Sequence, residues 1–291
     1  MKLHEPSTIR DIKDRYDFRL SKSLGQNFIT DRNVITRIVD GADISPEDLV
    51  IEIGPGIGVL TAAAAERAAR VVAVEIDRKL ISILEETLIG YRNIRVINQD
   101  IMKTDINEII EEERHAETFR GDVKIIGNLP YYITTPIIMG ILEKGVKAES
   151  ITIMMQKEVA DRIKASPGGK VYGALSVAVQ YYCTVEDIAS VPRDVFIPQP
   201  KVDSAVLRLR LRQESPVELT DKAVFFSCIK HGFGQRRKTL HNSLTGVGGL
   251  SKEQVGRVLE EAGIDPGRRA ETLDMEEFAA IANGVAACCG R

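Results

Sequence analysis

Asn128 and Leu129 close an apolar run, Val123-Lys124-Ile125-Ile126, and lead into Pro130, Tyr131 and Tyr132. The run reads as a buried strand, so these polar and aromatic residues emerge at a strand's carboxyl end, where open α/β sheets keep their chemistry. The Asn128 amide oxygen can accept a hydrogen bond from an amino group, and Pro130 stiffens the turn so that the Leu129 carbonyl can face the same way. Two acceptors can then hold one planar NH2. Tyr131 adds a flat ring on which a nucleobase stacks, typically for about 1–3 kcal/mol. The set points to presentation of an exocyclic base amine. The same residues also make an ordinary strand-ending turn, so the rest of the chain has to decide.

Three upstream strands bear on that decision. Leu49-Val50-Ile51-Glu52-Ile53 runs into Gly54-Pro55-Gly56-Ile57-Gly58 and then a helix over 59–69. A glycine turn between strand and helix lets a ligand approach the backbone closely at a helix N-terminus, but alone it is a weak sign. A second strand over 70–76 carries Glu75 at its end, placed to grip both hydroxyls of a ribose. A third, 94–98, is followed by Asp100, whose carboxylate can accept from an adenine amino group. Singly, each is an unremarkable strand-end carboxylate; in succession after three strands they make a nucleoside site. The glycine spacing is GxGxG rather than GxGxxG, and Pro55 lacks the N–H that a pyrophosphate cradle would use. A nucleoside without phosphates is favoured, and S-adenosylmethionine fits the set.

The positioning elements follow from the pattern. Residues 22–29 form a small loop bearing the Gln26 and Asn27 amides, and Asp31 caps a helix over 33–39. Helices are expected over 107–120, over 134–143 with Thr134 or Thr135 as cap, over 157–165 and over 175–182, with a strand at 151–155. Such alternation implies a parallel sheet with helices on both sides. Two later strands, 185–191 and 205–211, are joined by a proline-stiffened loop that holds Phe196 in place, either in the core or as a ring opposite Tyr131. Leu207 to Arg212 alternates leucine with arginine, a strand with one solvated face. Beyond Glu214-Ser215-Pro216 the composition is helical, with capping boxes at Ser251/Gln254 and Asp274/Glu277. Three segments are expected: a mobile, charged N-terminal arm, 1–22; an α/β domain, 23–213; and a helical domain, 214–291.

A chain of 291 residues with net charge −3 has no uniformly basic coat, so a polyanion would meet a local basic surface such as Arg236-Arg237-Lys238. The four cysteines lack CxxC spacing or pairing with the four histidines, which favours a reduced compartment and no metal. No secretory signal or apolar run of membrane-spanning length is apparent, so a cytoplasmic protein is expected.

Taken together, Gln26-Asn27-Phe28, EIGPGIGVLT at 52–61, NLPY at 128–131, FIPQPKVDSAV at 196–206 and QRRKTL at 235–240 resemble the ribosomal RNA adenine dimethyltransferase family over nearly the whole chain. The glycine motif is widely shared; the combination with NLPY, the proline loop and QRRKT is specific. The resemblance implies a Rossmann-like class I methyltransferase sheet, mostly parallel with a C-terminal antiparallel strand, plus a small all-helical C-terminal domain. It implies S-adenosylmethionine held by Gln26, Asn27, Ile29, Gly54, Gly56, Glu75, Asp100 and Asn128; the family more often has leucine at the position of Ile29. Asn128, Leu129, Tyr131 and Phe196 would serve the target base, and Arg236, Arg237 and Lys238 the RNA. The implied partner is small-subunit rRNA in an immature 30S particle, with two adjacent adenosines near its 3′ end each methylated twice at N6, and the protein acting as a monomer without membrane or metal. Rival readings are a large-subunit rRNA methyltransferase of the macrolide-resistance type, a DNA-adenine or protein-amide methyltransferase, and a non-catalytic RNA-binding assembly factor.

Overall fold

The computed structural model describes residues 2–17 and 25–289. It divides into two compact units, residues 1–160 with 185–211, and residues 161–184 with 212–291.

The first unit begins with helix α1 (Pro6–Arg15), a short strand β1 (Phe28–Ile29) and helix α2 (Arg32–Gly41). Strands and helices then alternate: β2 (Leu49–Ile53), α3 (Val59–Ala65), β3 (Arg70–Glu75), α4 (Arg78–Thr87), β4 (Ile94–Asn98), α5 (Ile106–His115), β5 (Val123–Asn128), α6 (Thr134–Glu143), β6 (Ser150–Gln156) and α7 (Lys157–Ile163). Helix α8 (Ala174–Tyr182) precedes β7 (Cys183–Val191), the short β8 (Phe196–Ile197) and β9 (Ser204–Leu211). The main sheet has the order β4-β3-β2-β5-β6-β9-β7, parallel from β4 to β6, with β9 antiparallel to β6. Every residue of β2 is buried, as expected of a central strand covered on both faces by helices. Asp31 caps α2 as expected, its carboxylate accepting from the Asn33 and Val34 N–H groups.

The N-terminal residues expected as a mobile arm instead contain α1. Ile9 and Ile12 are buried with Leu3 against Phe28, Ile57, Leu80 and Ile83, and Tyr16 donates to the Glu86 carboxylate at 2.5 Å, beside an Arg15–Glu86 ion pair. Residues 18–24, which include the rest of that arm and the start of the 22–29 loop, lie outside the described residues. A two-stranded ribbon, also read as plain loop in the sequence, pairs β1 with β8 (Phe28 with Ile197, Ile29 with Phe196). Arg208 and Arg210 do not stand on an open solvated face: both hydrogen-bond Glu186 of β7, and Arg210 also reaches Glu149 at 2.6 Å.

The second unit collects α8 with α9 (Lys222–Gly234), α10 (Leu240–Ser243), α11 (Lys252–Glu261) and α12 (Met275–Cys289). Its core joins Tyr172, Val177 and Tyr181 to Phe225, Leu273 and Phe278, so residues 161–184 belong with the C-terminal helices rather than with the α/β domain. Both expected capping boxes form: Ser251 with Gln254, and Asp274 with Glu277.

Candidate active site

Parallel strands in matched register end along one edge, and that edge carries the polar residues. Ile53 pairs with Val74 on one side and Gly127 on the other, and Glu75 pairs with Asn98, so Gly54, Glu75, Gln99 and Asn128 all emerge together.

At the end of β5 the Asn128 Nδ2 donates to the backbone carbonyl of Asn27 at 2.8 Å. A carbonyl can only accept, so the amide nitrogen must face Asn27 and the oxygen Oδ1 is left as an acceptor. The turn that follows is rigid. Leu129, 1% exposed, donates its N–H to Met154, while the Pro130 carbonyl accepts from the Ile133 N–H and, at 2.9 Å, from the Thr134 hydroxyl. Thr134 thus braces the turn rather than capping α6, whose N-cap residue is Ile133. The Tyr131 hydroxyl lies 2.6 Å from the Ser204 Oγ at the start of β9, and burial pushes its pKa up.

Glu75 is almost fully buried, with Oε1 accepting from the Asp77 N–H at 2.8 Å and Oε2 from the Gly56 N–H at 3.3 Å. Burial raises its pKa, and those two backbone donors hold the rise back. The Gly56 N–H is delivered by a left-handed backbone, φ +61°, and a Cβ there would stand 2.9 Å from the Phe28 ring, so glycine is required twice over. Gln26 Nε2 donates to Asp77 at 2.9 Å, tying the 25–29 loop to the end of β3. Just past the next strand, Asp100 Oδ1 caps a single helical turn through the Met102 N–H at 3.0 Å, which leaves its second oxygen for an amino group. Glu52, on the strand before the glycine turn, is 1% exposed; its Oε2 has no hydrogen-bond partner, and burial lifts its pKa to about 8.

These residues wall one cleft of about 960 Å³, its open mouth included. All eight sequence-predicted cofactor residues, Gln26, Asn27, Ile29, Gly54, Gly56, Glu75, Asp100 and Asn128, line it. Leu129, Tyr131 and Phe196 lie outside that lining. Phe196 is 3% exposed in the core with Ile29 and Val206, so the core alternative holds for it in this structure and it offers no open face opposite Tyr131. Sequence reasoning missed Glu52, Ile76, Gln99, Ile101 and Tyr132, which also line the cleft. One signal was available: an apolar residue follows each strand-end carboxylate, Ile76 after Glu75 and Ile101 after Asp100, suited to flank a flat base. A buried carboxyl group with an unsatisfied oxygen, a glycine loop without side chains and a deep carboxylate suit a ligand with an amino group, a close-lying backbone contact and a diol.

In the other unit, Arg236, Arg237 and Lys238 are all exposed, and Arg236 donates to the carbonyls of Lys170 and Tyr172 at 3.2 and 3.3 Å. Among the described residues no helix is long and apolar enough to cross a membrane.

The model of the ribosomal RNA adenine dimethylase family matches residues 17–286. The chain belongs to that family. Among its relatives, ribosomal RNA small subunit methyltransferase A of Alkaliphilus metalliredigens is 54% identical over 288 residues, 98% of this chain and 99% of that protein. The protein of the same name from Clostridioides difficile is 49% identical over 97% of this chain and 96% of its own. Solved structures of similar fold include a dimethyladenosine transferase from Plasmodium falciparum (TM-score 0.73, 27% identity, 87% of this chain and 95% of that one). The 23S rRNA methyltransferase ErmE is also similar (TM-score 0.67, 29% identity, 89% and 99%). As a member of the dimethylase family the chain is an enzyme that methylates adenine in ribosomal RNA.

Proposed function

We propose that this enzyme transfers methyl groups from S-adenosylmethionine to N6 of two adjacent adenosines near the 3′ end of small-subunit rRNA, within an immature 30S particle, as a cytoplasmic monomer. The observation that carries the reading is the fixed amide of Asn128, whose nitrogen is anchored on Asn27 and whose oxygen is the acceptor beside the cleft that Glu75 and Asp100 line.

Within that cleft Glu75 accepts from the ribose hydroxyls, Asp100 from the adenine amine, and the glycine turn lets the amino-acid end lie against backbone. Glu52 gives its unpaired oxygen to that end of the site. When bound, the cofactor supplies an electrophilic methyl on a sulfonium, which becomes a thioether as the C–S bond breaks and the C–N bond forms. The protein's task is positional. The N6 lone pair of adenine is delocalised into the ring; hydrogen bonds from N6 to Asn128 Oδ1 and the Leu129 carbonyl localise it and aim it. No strong base is required, because the methylated ammonium is acidic and loses its proton to water. The adenosine must first leave its stack, a cost of a few kcal/mol, offset in part by the Tyr131 ring. Phe196 would serve as a second face only after moving out of its present packing.

The choice of the small subunit follows the relatives of 49–54% identity, whereas the large-subunit enzyme stands at 29%. Labelled methyl incorporation into 30S particles from a strain lacking this modification, followed by nucleoside analysis, tests the proposal. Dimethyladenosine in the small-subunit RNA is expected. Label in 50S particles, in DNA or in protein, or no label, would overturn it.

A further inference from the structure

Two tyrosines stand side by side in the turn after Asn128, and the structure sends them to different places. Tyr131 turns inward to the Ser204 hydroxyl. Tyr132 lines the cleft and keeps 60% of its surface exposed. Its ring lies against Gly25, where an added Cβ would come 3.5 Å from Tyr132 Cδ1 and 3.1 Å from Pro130 Cβ. The turn beneath it is held by the two hydrogen bonds to the Pro130 carbonyl, so the ring stands on a braced backbone. Among the described residues no other ring stacks on it. A large aromatic left in water on a rigid turn, at the rim that carries the acceptor amide, has one face to offer to an incoming flat group.

An RNA substrate must put such a group there. A nucleotide drawn into the cleft to meet Asn128 stays tied by one phosphodiester to its neighbour, so the neighbour's base arrives at the cleft mouth already unstacked on one side. We infer that Tyr132 is the stacking platform for the base adjoining the adenosine under methylation, a substrate subsite separate from the one that presents N6. This rests on the proposed role of Asn128. With two adjacent adenosines as substrate, the ring holds whichever purine is not reacting, and so registers the strand for either. The contact is made with a π-face, so phenylalanine can replace tyrosine while alanine cannot.

The test compares wild type, Tyr132→Ala and Tyr132→Phe on 30S particles reconstituted with small-subunit rRNA that carries, beside the target, either the natural adenosine or an abasic residue. On the natural particle Tyr132→Ala should raise KM about tenfold with kcat nearly unchanged, and Tyr132→Phe should restore it. On the abasic particle, wild type and Tyr132→Ala should show the same KM. Calorimetric titration with S-adenosylhomocysteine should give the same affinity for all three proteins. A wild-type KM in Tyr132→Ala, a loss that persists on the abasic particle, or a matching fall in cofactor affinity would each overturn the inference. Failure of wild type to methylate either particle would instead strike the proposed function itself.

Discussion

Replacing Asn128 with alanine separates positioning of the amine from binding of the cofactor. The side chain makes one hydrogen bond, Nδ2 to the Asn27 carbonyl at 2.8 Å, and both groups line the open cleft. Losing a neutral bond of this kind costs about 0.5–1.5 kcal/mol, and water can reach the freed carbonyl, so the lower half applies. For a protein of this size that is a fall in Tm of about 1–2 °C. Turnover is a different matter. A preorganised polar group aimed at the reacting centre is typically worth about 10²–10³ in kcat, and nothing else in the turn replaces Oδ1. Glu75, Asp100 and the glycine turn are untouched, so affinity for S-adenosylhomocysteine should stay within about threefold. Asn128→Asp should do no better, because it sets a carboxylate oxygen against the Asn27 carbonyl where a donor stood. The assay is methyl incorporation into unmethylated 30S particles at saturating cofactor, with calorimetry on the same preparations. Full turnover in Asn128→Ala would refute the acceptor role. A loss of affinity as large as the loss of kcat would make Asn128 a cofactor-holding residue and nothing more.

Further outcomes follow from the same structure. Glu52, with a pKa of about 8 against 4.5 for an ordinary glutamate, keeps in the folded chain a proton that the unfolded chain releases. Its contribution to stability is therefore fully present below about pH 4.5 and lost as pH rises through 8, with roughly 1–2 kcal/mol of the loss falling between pH 7 and 9. Denaturant melts of wild type and Glu52→Gln over that range should show a flatter profile for the variant; parallel profiles would contradict the buried acid. Phe196→Ala removes a core ring and should lower stability by about 3 kcal/mol or more in urea unfolding; an unchanged midpoint would mean that Phe196 leaves the core far more readily than its packing suggests. Arg237→Ala and Lys238→Ala should each reduce the salt slope of 30S binding by a little under 1, as phosphate contacts do. A slope equal to that of wild type in both would remove these residues from the RNA interface.

What the sequence made legible was what local chemistry decides. The run Leu49–Ile53, apolar but for Glu52, reads as a strand and is one; the glycine turn read after it is built on positive φ at Gly54, Gly56 and Gly58; and Asp31 and the Ser251/Gln254 pair cap where capping chemistry demands. What stayed hidden depends on partners far along the chain. Helix α1 has too few apolar residues to announce itself, and Ile9 and Ile12 acquire a reason only from Phe28, Ile57 and Leu80. Residues 161–184 read as a continuation of the α/β alternation, yet the Tyr172 hydroxyl donates to the Leu273 carbonyl at 2.9 Å, a contact over about a hundred residues that no local periodicity contains. The same holds for the two tyrosines: the sequence reading singled out Tyr131 alone, and only the partner on β9 tells which of the two is tied down.

That partner is a consequence of topology. Because β9 runs antiparallel to β6, its first residue, Ser204, pairs with Gln156 at the last position of β6, on the edge where Glu75 and Asn128 emerge. The proline loop between β7 and β9 must therefore arrive at that same edge, and its β8 segment pairs with β1, the strand that follows Asn27. Thr30 completes the join, its N–H and hydroxyl both donating to the Val195 carbonyl at 2.8 and 2.9 Å. The carbonyl that orients Asn128 is thus held by a ribbon whose second strand comes from 170 residues downstream of it, roughly the span from Asn27 to Ile197. A methyltransferase sheet with a parallel last strand would begin that strand at the opposite edge, leaving Asn27 unbraced and Tyr131 without Ser204. The antiparallel β9 brings Ser204 and the β8 segment to the edge where the other strand ends form the site, and a substitution that breaks the ribbon outside the cleft lining, such as Ile197→Pro, should lower kcat through Asn128 without touching a reacting atom.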